Sequence, residues 1–139
     1  MEKRFKFESQ APYTLHDSVI TKLKIKDNNV VLVFEDGIYD PSDPGFFLSG
    51  SVTLEDVDMD FCDIMVAGIS KKNKKFKGKD YTFSKFIKKY PEFKFFVCDT
   101  LWGYNMFVLT GTLADPETDK VYDSVITINY NGDVVFKTK

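Results

Sequence analysis

The chain has 139 residues, 29% of them charged and 16% aromatic, with a formal net charge of −2. A chain of that length can form one domain and bury roughly two-thirds of the surface its unfolded form exposes. No stretch approaches the roughly 20 apolar residues of a membrane-spanning helix, and two cysteines, Cys62 and Cys98, are too few for a disulfide framework.

Most segments read as strands. Residues 19–26 alternate apolar and polar, the period-2 sign of a half-buried strand, and Asp27-Asn28-Asn29 supplies a turn into the apolar run 30–34. Residues 36–45, with two prolines and three aspartates, read as an exposed loop. Further strands are expected at 46–54, 61–69, 93–101, 104–113, 121–130 and 134–137. The segment 93–98 is apolar on nearly both faces, as the covered centre of a sheet would be. One helix is expected over 82–90, because Phe83, Phe86, Ile87 and Tyr90 share a face at i, i+3, i+4 and i+7. Asp80 or Thr82 can cap it, and Pro91 limits its far end.

The pentapeptide Asp17-Ser18-Val19-Ile20-Thr21 recurs as Asp123-Ser124-Val125-Ile126-Thr127. Each copy leads through an Asn-containing turn into Val-Val, at Val30-Val31 and Val134-Val135. Asn131-Gly132 in the second copy matches a type I′ turn and predicts a second hairpin.

Charge is segregated along the chain. No Lys or Arg occurs between Asp27 and Ser70, which contain ten carboxylates. From Lys71 to Lys94, ten lysines stand against Asp80 and Glu92, a local balance of +8. Such blocks either steer a charged partner or neutralise one another within the fold. The densest part, Lys71, Lys72, Lys74, Lys75, Phe76, Lys77 and Lys79, reads as an exposed, self-repelling loop that could meet phosphates, an acidic protein or an anionic surface. A single Arg and a pI near 5.4 argue against sequence-specific nucleic-acid binding. Gly78-Lys79 lacks the upstream Gly and following Ser or Thr of a P-loop.

Asp56, Asp58 and Asp60, if extended, share one strand face and are weak candidates for a cation. They fail as an EF-hand, with Phe61 at the required Gly and Ala67 at the required Glu. The alternative is an exposed edge opposite the lysines. Nucleophilic catalysis would need His16, the only histidine, to meet Cys62 or Cys98. Trp102 and Tyr104 sit in a tight turn, either displayed as binding anchors or, for Trp102, folded back to cap the core.

The segments Leu15-His16-Asp17-Ser18, Phe34-Glu35-Asp36-Gly37, Gly50 with Val57-Asp58-Met59-Asp60, and Asp99-Thr100-Leu101-Trp102-Gly103-Tyr104-Asn105 carry a resemblance. With them the chain resembles a loose set of small, uncharacterised β-rich proteins of Gram-positive bacteria, some of them immunity-protein-like. That resemblance implies a cytoplasmic binding protein without a cofactor.

The expected fold is mainly β: an antiparallel sandwich or partly open barrel of about eight strands, with one short packed helix, in a single domain over 1–139. The absence of a signal-like apolar run near Met1 makes the cytoplasm the expected location. The expected function is a non-enzymatic, charge-steered protein-binding module, plausibly immunity-like, with partner-binding residues Lys71, Lys72, Lys74, Lys75, Phe76, Lys77, Lys79, Trp102 and Tyr104. The alternative is a small-ligand or cation-binding barrel using the mouth near Trp102 and Tyr104.

Overall fold

A computed structural model describes residues 1–6, 11–43, 45, 47–69 and 76–139. The strands are β1 (Glu2–Phe5), β2 (Val19–Lys26), β3 (Asn29–Ile38), β4 (Leu48–Leu54), β5 (Asp63–Ile69), β6 (Phe76–Tyr81), β7 (Lys94–Gly103), β8 (Met106–Asp115), β9 (Lys120–Asn129) and β10 (Val134–Thr138). One helix, α1 (Phe83–Lys89), follows β6. All ten strands form one open sheet in the order β1-β10-β4-β3-β2-β7-β8-β9-β5-β6, with β1 and β6 at its two ends. Every pairing is antiparallel.

The sheet is strongly curled. Five inter-strand steps separate β1 from β7, about 24 Å in a flat sheet. Yet the Trp102 ring of β7 lies 4.9 Å from Phe5 of β1, edge to face. The concave side therefore closes over a core in which Phe34, Phe95, Phe107 and Phe136 are fully buried. α1 covers the same side towards β5 and β6. Phe83 and Phe86 are buried there, and the Phe86 ring lies 6.5 Å from Tyr81 and 5.0 Å from Phe93. The Thr82 hydroxyl accepts from the Lys85 amide at 3.2 Å, so of the two expected caps, Asp80 and Thr82, it is Thr82 that serves. The tight junction is β2 to β7, which pair over only Val19↔Phe96 and Ile20↔Phe95.

Several expectations change. The sheet has ten strands, not about eight, because two charged end strands escaped the apolar pattern. Part of the presumed loop after Phe34 is strand: β3 runs to Ile38, which is fully buried. Residues 93–98 are covered on one face only. Phe95 and Val97 are buried, whereas Phe96 is 43% exposed and Cys98 lies in a bulge on the surface.

The second hairpin does not form. β9 pairs with β8 and β5, while β10 pairs with β1 and β4. Neither Asn131 nor Gly132 has the positive φ that a type I′ turn demands. Asn131-Gly132 instead carries the chain across, with Gly132 N–H donating to the Glu55 carbonyl. The echo survives at a smaller scale. Ser18 and Ser124 are both buried, and their hydroxyls donate to the Leu15 and Met65 carbonyls. Each serine also faces a glycine of the adjacent strand: Gly37, at φ 99°, approaches Ser18, and Gly111 pairs with Ser124.

Candidate functional site

The described part of the basic segment is strand rather than loop. Phe76 to Tyr81 forms β6, in register with β5 from Ile69↔Phe76 to Ile64↔Tyr81. That corrects the reading of Lys71–Lys79 as one solvated loop: Phe76, Lys77 and Lys79 lie in the end strand of the sheet. Lys71, Lys72, Lys74 and Lys75 lie outside the described residues. Gly78, Lys79 and Asp80 are exposed. The Lys79 ammonium sits 5.2 Å over the Tyr81 ring, so its side chain lies on the helix side of β6. Lys85, Lys88 and Lys89 of α1 are exposed on that same side. They extend the candidate site beyond the lysines singled out in the sequence. Their signal was the same +8 block.

The two charge blocks scarcely meet among the described residues. Among the described residues, the one ion pair between them is Lys94 to Glu35, at 3.9 Å and exposed. Lys79, Lys85, Lys88 and Lys89 enter none. Ion pairs collect at the opposite end instead. There Arg4 reaches Glu55 at 3.0 Å, Asp133 at 3.4 Å and Glu2 at 3.7 Å, and Lys6 and Lys137 add pairs to Asp133 and Glu2. These contacts raise the Arg4 pKa, with the Glu55 hydrogen bond and charge as the leading causes.

On the other face of β6, Asp80 stands opposite Met65 and near Asp63. Burial, then repulsion and hydrogen bonding from Asp80, push the Asp63 carboxyl above its ordinary range. The site thus has a cationic side next to α1 and an acidic side next to β5.

The other sequence candidates fall elsewhere. Trp102 folds back into the core, stacked on Phe107 at 4.1 Å, and its neighbour Tyr104 is 74% exposed at the turn. Trp102 borders a cleft of about 430 Å³ shared with Tyr13, Leu15, His16, Cys98 and Thr100, and Tyr104 does not line it. His16 uses Nδ1 to donate to the Cys98 carbonyl, and its Nε2 is 3.4 Å from an Asp17 oxygen, so the contact is to the main chain rather than to sulfur. Cys62 is buried. Its thiol donates to the Asp58 carbonyl at 3.1 Å and accepts from the Asn129 amide, and burial pushes its pKa up, which disfavours the nucleophilic thiolate.

The acidic run is not extended. Asp56 takes φ 52° and Met59–Phe61 forms a 3-10 turn, so Asp56, Asp58 and Asp60 are not arrayed along one strand face. Among the described residues, no three metal-ligating side chains come together. No helix of the described residues is long and apolar enough to cross a membrane. No protein-family model, curated protein or solved structure matches the chain.

Proposed function

We propose that this chain is a non-enzymatic protein-binding module, steered by charge, whose Lys71–Lys94 segment receives an acidic protein. One observation carries this reading: among the described residues, Lys79, Lys85, Lys88 and Lys89 enter no ion pair, while most of the ion pairs gather around Arg4 and Lys137. Uncompensated cations on one rim accelerate encounter with an anionic surface. Lysine supplies a point charge without the planar fork that reads bases, which favours a protein over a nucleic acid. An immunity-like role, with a toxin as the acidic partner, is the form of this proposal that the sequence resemblance supports. The cleft beside Trp102 supports a second reading, a small-ligand binder, because its volume falls in the range such sites occupy. Trp102 is the single tryptophan, so its fluorescence reports on that cleft directly.

The test is a lysate pull-down with wild type and a variant in which Lys71, Lys72, Lys74, Lys75, Lys77 and Lys79 become Gln, at low and moderate salt. An acidic protein retained by wild type, and lost both from the variant and at moderate salt, is the expected result. Equal retention by both proteins removes the basic segment from the function.

A further inference from the structure

β6 ends the sheet on the basic side, and an end strand presents a row of main-chain N–H and C=O groups that its own sheet does not pair. Such edges aggregate unless charge deters them, and lysines do so by repelling a second copy of themselves. The same lysines attract an acidic strand. Gly78, exposed at the middle of β6, adds no side chain that would hold an incoming backbone away.

The two faces of β6 differ in sign, and this sets the pattern of the incoming strand. Side chains alternate along a strand, so Lys79 and Tyr81 share the helix side while Gly78 and Asp80 share the other. On the helix side an incoming residue meets Lys79, on the face of the sheet that α1 covers. On the far side it meets Asp80, with Asp63 behind it. A uniformly acidic segment would lose on the second face what it gains on the first.

Resting on the function proposed above, we propose that the partner binds by adding an extended segment to β6, with carboxylates at every second position on the Lys79 side and uncharged residues on the Asp80 side. Main-chain bonds then give affinity, and the period-2 charge pattern gives specificity.

Three ten-residue peptides of equal charge test this: alternating Glu-Val, a block of five Glu followed by five Val, and the alternating sequence N-methylated at every residue. Binding is read by calorimetry, and main-chain exchange at β6 by hydrogen–deuterium exchange. The alternating peptide should bind at least about tenfold more tightly than either of the others, and should slow exchange at Phe76–Tyr81. Equal affinity for all three, no binding by the alternating peptide, or unchanged exchange at β6 overturns strand addition. If the peptides fail while the lysate partner still depends on the lysines, the binding module stands without the added strand. If that dependence is absent too, both proposals fall.

Discussion

At the β1 end of the sheet, Arg4 lies 3.0–3.7 Å from Glu55, Asp133 and Glu2, and the terminal amino group donates to the Thr138 carbonyl at 2.8 Å. At the β6 end, four described lysines carry no ion pair, and two neighbouring carboxylates, Asp63 and Asp80, repel each other. Both are end strands with charged sequences, and both belong to the same sheet. The difference is in where the charges are satisfied. β1 is tied down by its own chain, and its Phe5 reaches across to Trp102, so its role is closure of the core. At the β6 end, Lys79 and the α1 lysines are satisfied by no carboxylate among the described residues.

The largest effect that sharpens this contrast comes from Phe5→Ala. Truncating a buried Phe costs about 3–5 kcal/mol, and loss of the Phe5 edge should shift the Trp102 emission in the same sample. A chemical-denaturation midpoint barely changed by this substitution would mean that β1 does not close the core. Next is the six-lysine Gln variant. Six lysine–carboxylate pairs with the partner at about 0.2–1 kcal/mol each add up to at least about sevenfold weaker partner binding, while the thermal midpoint stays close to wild type. Smaller is Thr100→Val, on the cleft wall beside Trp102. The Thr100 hydroxyl is buried with no hydrogen-bond partner among the described residues. Replacing it with a methyl group of similar size should stabilise the fold by about 1 kcal/mol, seen as a higher midpoint.

Asp63→Asn gives the smallest effect, and it depends on pH. Asp63 holds its proton more tightly in the folded than in the unfolded chain, so its contribution is present at low pH and lost as pH rises through the raised folded pKa. Asp63→Asn should therefore be more stable than wild type at pH 7, with the gap closing below about pH 4. A gap independent of pH would place the effect in packing rather than in charge.

Strands with clean alternation, such as residues 19–26, were legible in the sequence, as was α1, because its apolar spacing, Thr82 cap and Pro91 stop agree. β1 and β6 were not. Glu2-Lys3-Arg4-Phe5 has one apolar residue, and Phe76-Lys77-Gly78-Lys79-Asp80-Tyr81 has one at each end, so neither shows a buried face to periodicity. The Asn131-Gly132 signal failed for a different reason. Turn chemistry is local, whereas the pairing of β10 with β4 and β1, with Val134 and Phe136 buried, is a long-range outcome. The +8 block was plain from the sequence. That Lys79, Lys85, Lys88 and Lys89 enter no ion pair among the described residues depends on where the fold carries the acidic segments, which no local pattern encodes.

The most direct measurement compares equal removal of charge from the two ends. Binding of the partner captured by wild type is measured for a variant with Lys79, Lys85 and Lys88 changed to Gln, and for one with Lys3, Arg4 and Lys6 changed to Gln. The β6-side variant should lose binding and the β1-side variant should keep it. Equal loss from both would show that net charge alone attracts the partner, and would contradict a site at the β6 edge.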